Sequence, residues 1–354
     1  MEGDVLVPEA TAAAQLTPVT DQAQSQIILD VRDLSVSFGP RRDPLEVLTR
    51  VSLQVRAGEA VGIVGESGSG KSVMCLATLG LVGAIGGRVE SGSIALDGQD
   101  VTRFSQREWR SLRSQTASMI FQQPMRSLNP AFTVGDQIAE PLRIHRGMSR
   151  RDAWARAIEL LDRVRIPHAA SRAHDYPHQM SGGMCQRVMI AMALACEPKL
   201  VIADEPTTAL DVTVQADILD LLDELRVNLG VSLIYVSHDL AVVRELCDRV
   251  AVMYAGNLVE TGPTKALFDS PQHPYTSGLL EVSELKQRDG RLASIRGQVP
   301  PPSEFASGCR FVDRCDFAVH PVCDAHLLPL APIGRDRAVK CIRHAELDLP
   351  GRSA

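Results

Sequence analysis

A glycine-rich segment constrains the fold of this chain more than any other stretch. It follows an apolar run, residues 60–64, and precedes residues 73–81, which can continue as a helix. The pattern G-x-x-x-x-G-K-[ST] between a strand and a helix is typical of loops whose backbone N–H groups bind the phosphates of a nucleotide. A turn that merely joins the two elements is disfavoured because both flanks fit the pattern. The residues expected to contact the nucleotide are Gly65, Ser67, Gly68, Ser69, Gly70, Lys71, Ser72 and Val73.

Two side chains of this phosphate loop have predicted roles of their own. Lys71 is expected to reach the β- and γ-phosphates, and the Ser72 hydroxyl is expected to bind Mg²⁺. The positive end of the following helix would add to the attraction for phosphate.

The strand pattern before the loop predicts an accessory antiparallel sheet. Residues 27–38 and 45–55 alternate apolar and polar side chains, and Asp97-Gly98 suggests a further turn. Phe38 lies in this sheet; its ring either stacks on an adenine or packs in the sheet core, and the local pattern favours neither. Helical periodicity then dominates residues 122–195, and buried strands return after it. This order predicts an α/β fold with a P-loop NTPase core, an antiparallel accessory sheet and a helical insert.

Polar side chains follow three other predicted strands. Asp204 and Glu205 end an apolar run, Gln122 follows a second and His238 a third. We expect Asp204 and Gln122 to bind Mg²⁺ together with Ser72, and Glu205 to polarise the attacking water. His238 would hydrogen-bond the γ-phosphate, although a lone histidine at a strand end is more often structural. Because strand ends meet at one edge of such a sheet, we favour the functional interpretation for all four.

A second glycine-rich segment begins a helix inside the insert. It reads Ser181-Gly182-Gly183-Met184, where Ser181 is a good N-cap and the glycines leave the first N–H groups accessible. A single subunit would hold this helix start too far from Lys71 to share its nucleotide. The segment is therefore expected to contact ATP bound by a partner subunit. Asp211, just past the two acids, is expected at the same interface.

These motifs, in their order along the chain, resemble those of ABC-transporter ATPase subunits: the phosphate loop, Gln122, Ser181-Gly182-Gly183, Asp204-Glu205, Ala209-Leu210-Asp211 and His238. The resemblance covers about residues 27–262. A closer resemblance to oligopeptide/dipeptide permease ATPases rests on Met119-Ile120-Phe121-Gln122, Ser127-Leu128-Asn129-Pro130, Ser181-Gly182-Gly183-Met184, Arg187-Val188-Met189-Ile190-Ala191 and His273-Pro274-Tyr275-Thr276.

The resemblance implies a full transporter around this chain. Two ATPase subunits, expected to be different, would close on two ATPs beneath two membrane-spanning permease subunits, fed by an extracytoplasmic solute-binding protein. It implies that Glu205 is the general base, that His238 senses the γ-phosphate, and that Gln122 and the helical insert communicate with the permeases. Dipeptides, longer peptides, glutathione and nickel chelates all stay open as cargo, and so does a homodimer of ATPases.

Four cysteines gather near the C-terminus, at Cys309, Cys315, Cys323 and Cys341. The paired C-x₂₋₄-C spacing of zinc sites is absent, whereas iron–sulfur sites have looser spacing; four unligated thiols are the third possibility. The residues alone leave the metal open. The resemblance implies a [4Fe–4S] cluster, with Zn²⁺ as the alternative, acting as a structural staple. The other cysteines are expected to be buried small hydrophobic residues.

The pattern predicts four segments: a disordered extension at 1–26, the ATPase domain at 27–262, a C-terminal domain at 263–345 and a flexible tail at 346–354. A net charge of −6 and the lack of a long apolar run or signal peptide predict a soluble or peripheral chain that stays in the cytosol and does not bind nucleic acid. The resemblance implies that it lies on the cytoplasmic face of the inner membrane. The alternatives are a soluble ABC ATPase acting on DNA or ribosomes, and a redox or metal sensor.

Overall fold

A computed structural model describes residues 26–208, 210–288 and 291–351. The predictions for residues 1–25, Ala209 and 352–354 lie outside these ranges. The strands are β1 (Ile27–Phe38), β2 (Leu45–Arg56), β3 (Ala60–Val64), β4 (Arg88–Leu96), β5 (Gln99–Asp100), β6 (Ala117–Ile120), β7 (Leu200–Asp204), β8 (Ser232–Ser237), β9 (Arg249–Tyr254), β10 (Asn257–Pro263), β11 (Gln287–Arg288), β12 (Arg291–Leu292), β13 (Ala331–Gly334) and β14 (Arg337–Val339). The helices are α1 (Lys71–Thr78), α2 (Gln106–Leu112), α3 (Pro124–Ser127), α4 (Val134–His145), α5 (Arg150–Arg163), α6 (Ala169–Arg172), α7 (Gly182–Leu194), α8 (Val212–Leu229), α9 (Leu240–Leu246), α10 (Thr264–Asp269) and α11 (Pro274–Ser283).

The central sheet has the strand order β13-β14-β10-β9-β3-β8-β7-β6. Its strands β9, β3, β8, β7 and β6 are parallel. Every residue of β3, β7 and β8 is buried, as expected for a parallel sheet covered on both faces. Val61 and Ile63 pack beneath the antiparallel sheet, whereas Ala60 and Val64 pack in the core shared with the helices.

A separate antiparallel sheet, ordered β2-β1-β4-β5, covers one face of the central sheet. Asp97 and Gly98 form the hairpin turn between β4 and β5 with positive φ angles of 49° and 79°. Consecutive positive φ values are what a tight two-residue hairpin requires, and Asp-Gly supplies them at low cost. The predicted accessory sheet and α/β core are both confirmed.

The helical insert comprises α3 to α7. Ser149 begins α5 by accepting a hydrogen bond from Asp152 N–H, and the buried side chains of Ala153, Ala157 and Leu160 line one face of that helix. Helix α7 is buried along most of its length and joins the insert to the core. The insert thus carries the second glycine-rich segment on a helix that the parallel sheet supports.

The C-terminal region extends the central sheet. Strand β14 pairs with β10, with Glu260 opposite Val339, so residues after 263 complete the antiparallel edge of that sheet. The predicted boundary near 262 therefore separates two parts that share one sheet. Near the end of the chain, Leu349 is buried and Ser277 donates a hydrogen bond to Pro350 O. The flexible tail stays a prediction. In the three described ranges, no helix is both long and apolar enough to cross a membrane.

Candidate nucleotide-binding and hydrolysis site

The phosphate loop joins β3 to α1, which begins at Lys71. Gly65 has φ of 148°, and a Cβ atom there would lie 2.1 Å from Met253 O, so only glycine fits. Gly70 has φ of 102° and would place a Cβ 2.8 Å from Leu48 Cδ2. The two glycines thus let the loop turn tightly against the neighbouring strand.

Lys71 lies folded inside the loop. Its Nζ donates hydrogen bonds to Gly65 O at 2.8 Å and to Glu66 O at 3.0 Å. Burial lowers the pKa of Lys71, and the carboxylates of Glu205 and Asp204 oppose that shift. The ammonium group therefore stands beside a carboxylate pair in a desolvated site, where an incoming polyphosphate would interact with it strongly.

Asp204 lies at the end of β7 with oxygen atoms suited to a cation. Burial raises the pKa of Asp204, and the neighbouring Ser72 hydroxyl opposes that shift. Within the described residues, Asp204 Oδ1 and the buried Ser69 Oγ have no hydrogen-bond partner. A carboxylate, a hydroxyl and an amide oxygen are the hard donors that Mg²⁺ prefers. These unpaired oxygens fit a magnesium-bound nucleotide.

Glu205 lies at the centre of a polar group formed by three strand ends. Its Oε2 accepts hydrogen bonds from Gln122 Nε2 at 2.9 Å and from Thr208 Oγ1 at 3.0 Å, and His238 Nδ1 lies 3.6 Å away. Glu205 has a positive φ of 47°, and its N–H donates to Val236 O. The structure brings the predicted Gln122, Glu205 and His238 together. It adds Thr208, whose only sequence signal was a hydroxyl three residues after an acid.

The second glycine-rich segment occupies a different place. Ser181 Oγ accepts a hydrogen bond from Met184 N–H at 3.3 Å and so begins α7. A Cβ at Gly183 would lie 2.8 Å from Val214 Cγ1 on α8. Asp211 begins α8 by accepting from Val214 N–H at 2.9 Å. Among the described residues no hydrogen bond joins Ser181 or Asp211 to the phosphate loop, so the segment pairs with α8 and not with Lys71.

Family models match two parts of the chain: residues 48–208 match the model described as ABC transporter, and residues 259–323 match that of the oligopeptide/dipeptide transporter C-terminal region. A peptide import ATP-binding protein of Brucella melitensis is 48% identical over 334 residues, covering 91% of this chain and 98% of the relative. The chain belongs to the ABC transporter ATP-binding family. It is an ABC-type ATPase.

Further comparisons agree with this assignment. The dipeptide transport ATP-binding protein DppD of Escherichia coli K12 is 49% identical, with 92% of this chain and 98% of the relative covered. A dimeric, post-hydrolysis structure of the cassette MJ0796 bound to ADP and Pi matches 67% of this chain and 98% of that one, with 30% identity and a TM-score of 0.59. The structure of CbiO1 of Clostridium perfringens matches 69% of this chain and 91% of its own chain, with 28% identity and a TM-score of 0.59. Import proteins match over nine-tenths of the chain, so a soluble ABC ATPase acting on nucleic acid or ribosomes is not favoured.

Phe38 lies at the end of β1 in this ABC ATPase. Its ring is partly buried against the core of the antiparallel sheet, and a Cβ at Gly87 would lie 2.8 Å from the ring. The ring thus packs in the sheet while part of it stays accessible. Stacking on adenine stays a prediction.

The four C-terminal cysteines line one cavity, together with His273 and Lys340. Burial raises the pKa of Cys315 and of Cys341 to about 11 each, and neighbouring thiols add to both shifts. Across residues 26–208, 210–288 and 291–351, no group of three or more His, Cys, Asp or Glu side chains is arranged to hold a metal ion. The remaining cysteines, Cys75, Cys185, Cys196 and Cys247, are buried, as predicted.

Proposed function

We propose that this ABC ATPase powers a binding-protein-dependent importer of dipeptides or oligopeptides. The observation that carries the proposal is that peptide-import relatives match the C-terminal region of the chain as well as the cassette. The solved cassettes match only 67–69% of the chain, whereas the peptide-import relatives match 91–92%, including residues 259–323 that carry the transporter-specific model. That region shares a sheet with the cassette through β10 and β14. A peptide importer is therefore the function best supported.

In this proposal each chain supplies half of an ATP site. Lys71 holds the β- and γ-phosphates, Ser72, Asp204 and Gln122 hold Mg²⁺, and Glu205 accepts the proton of the attacking water. Bound Mg²⁺ would neutralise charge on the phosphates. The Gln122 amide and the Thr208 hydroxyl orient the Glu205 carboxylate by donating to one oxygen, which leaves the other free for water. His238 would hydrogen-bond the γ-phosphate.

The other half of the site comes from a partner subunit in the same proposal. Ser181, Gly182, Gly183, Met184 and Asp211 of one subunit would close over the nucleotide held by the other. Support comes from their position on α7 and α8, separate from the chain's own loop, and from the dimeric state of the related cassette MJ0796. Binding of ATP would close the two subunits and hydrolysis would reset them.

The permease subunits would dock on a groove between the central sheet and the helical insert. The groove has a volume of about 430 Å³, and its lining includes Phe121, the residue before Gln122. Phe121 and Ile144 line it and are 40% and 67% exposed, so they offer apolar surface within one groove. Arg113 and Glu140 provide charges at its wall. A short amphipathic helix of a membrane subunit fits this chemistry, and it would place the chain on the cytoplasmic face of the membrane.

The proposal also assigns a [4Fe–4S] cluster to Cys309, Cys315, Cys323 and Cys341. Support comes from the four thiols lining one cavity and from their spacing in the chain, which lacks the paired C-x₂₋₄-C pattern of zinc sites. Cysteines bind iron as thiolates, so iron binding would have to deprotonate thiols whose pKa values burial has raised. The cluster would act as a structural staple and not turn over.

The experiment that tests the importer proposal is a pull-down of the tagged chain from solubilised membranes. We expect to recover a second ABC ATPase subunit and two multi-span permeases. The recovered complex should hydrolyse ATP faster with peptide once a secreted binding protein is added. A Phe121→Ser/Ile144→Ser variant should lose the permeases while it still binds ATP. Recovery with ribosomes or nucleic acid, and without membrane subunits, would reject the proposal.

A further inference from the structure

The phosphate loop makes a charged contact with the C-terminal region. Arg314 donates hydrogen bonds from Nη1 to Glu66 Oε2 at 2.7 Å and from Nη2 to Glu66 Oε1 at 2.9 Å. The side chain of Arg314 is 6% exposed and that of Glu66 is 31% exposed. Such a bidentate pair is geometrically specific, and partial burial protects it from screening. Glu66 is the second residue of the glycine-rich loop, so the contact reaches the nucleotide site.

Contacts other than the Glu66 pair also hold Arg314 in place. Its Nε donates to Arg296 O at 2.7 Å and its Nη2 to Gly297 O at 3.3 Å. The guanidinium lies 5.6 Å from the ring centre of Tyr254 and 5.8 Å from that of Phe311. These contacts hold the guanidinium in place independently of its pair with Glu66.

A second contact holds the same loop residue. The N–H of Glu66 donates to the Tyr275 hydroxyl at 2.8 Å. Tyr275 is fully buried in α11, where its ring lies 4.7 Å from that of Tyr254 and 5.2 Å from that of Phe311. The C-terminal region thus hydrogen-bonds both the backbone and the side chain of Glu66. We call Arg314 and Tyr275 the Glu66 clamp.

The clamp acts on the residue that orients the catalytic lysine. The carbonyl of Glu66 accepts a hydrogen bond from Lys71 Nζ, while its N–H and carboxylate are held by the clamp. A loop that is already ordered loses less conformational freedom when phosphate binds, so its affinity is higher.

We propose that Arg314 is a positioning residue for nucleotide binding, through which the C-terminal region sets the ATP affinity of the phosphate loop. Arg314 lies directly before Cys315 and within the 3₁₀ turn Val312–Arg314, so the order of the cysteine-bearing segment is transmitted to the loop. The inference rests on ATP binding by the loop; it depends neither on peptide cargo nor on the identity of a metal.

The test measures the ATP dissociation constant of the full chain by calorimetry, together with the rate of phosphate release at saturating ATP. Arg314→Gln should weaken ATP binding by about tenfold, in line with the loss of a charge-assisted pair. The rate at saturating ATP should change by less than about twofold, because Arg314 touches no reacting atom. Arg314→Lys should keep more ATP affinity than Arg314→Gln, since lysine retains the positive charge but cannot form the bidentate pair of hydrogen bonds.

A double-mutant cycle and a matched control distinguish an effect on the position of the phosphate loop from an effect on the stability of the fold. Glu66→Gln combined with Arg314→Gln should weaken binding no more than either change alone. Arg337→Gln cuts another Arg–Glu pair between the C-terminal region and the cassette, with Glu260 at 3.0 Å, away from the loop. It should lower the melting temperature and leave the ATP dissociation constant unchanged.

Two results would overturn the proposal: an Arg314→Gln protein with the wild-type ATP dissociation constant, or an Arg337→Gln protein that loses as much affinity. If Arg314→Gln fails to fold, Glu66→Gln serves in its place, because Arg314 then keeps its carbonyl partners. A wild-type dissociation constant in that variant would equally overturn it.

Discussion

Replacing Glu205 by glutamine should separate ATP binding from ATP hydrolysis. The change is nearly isosteric, and the structure indicates that it preserves the local fold. Gln122 Nε2 and Thr208 Oγ1 both donate to Oε2 of Glu205. A glutamine whose carbonyl oxygen takes the Oε2 position keeps both hydrogen bonds, and its amide takes the position of Oε1.

The lost function is proton acceptance from water. A positioned general base contributes roughly 10²- to 10⁴-fold, which at about 1.4 kcal/mol per tenfold is about 3–5 kcal/mol of transition-state stabilisation. The substitution also removes a negative charge beside Asp204, where that charge helps to raise the pKa of the carboxylate. Repulsion toward a polyphosphate falls as a result, so ATP binding should be kept or strengthened.

The assay is phosphate release from the chain purified together with its partner ATPase subunit, with size-exclusion chromatography in ATP to detect a closed dimer. We expect hardly any turnover and an ATP-dependent dimer that persists. Thr208→Ala is the matched control, because it removes one hydrogen-bond donor to the Glu205 carboxylate and keeps the base. It should lower the rate of phosphate release by less than about tenfold. Turnover of Glu205→Gln within about threefold of wild type would reject Glu205 as the general base.

Three further tests, two of them with a control variant, address the phosphate loop and the cysteine-bearing segment. Lys71→Ala should weaken ATP binding by at least about tenfold in calorimetry, and unchanged affinity would contradict the assignment of the phosphate loop. Gly65→Ala places a Cβ 2.1 Å from Met253 O and should destabilise the fold by about 2 kcal/mol or more in thermal unfolding. Gly68→Ala meets nothing within 4 Å and should cost only about 1 kcal/mol for its positive φ; an equal cost at both sites would contradict the packing argument. Cys315→Ser should lose bound iron and melt at a lower temperature, whereas Cys247→Ser should keep its iron; a Cys315→Ser protein that keeps its fold and transport without metal would refute the structural role.

Sequence reasoning predicted the strands, the loop and the strand-end side chains because each depends on short-range patterns. Alternating apolar residues, a glycine-rich turn and acids after a buried run are local signals. The convergence of Gln122, Glu205 and His238 also followed, since parallel strands place their ends at one edge. Thr208 was missed because a hydroxyl in a loop carries no pattern that distinguishes it from a surface residue.

The chemistry of the ATP site can be read from the sequence, because the residue types and spacing around Lys71 and Asp204 allow few other uses. How the C-terminal region contacts that site depends on the folded chain. The pairing of Arg314 with Glu66 spans 248 residues, and no local periodicity connects positions so far apart. Such a contact exists because β14 pairs with β10 and aromatic packing around Tyr275 brings the cysteine-bearing segment to the loop. Long-range contacts of this kind depend on the complete folded chain.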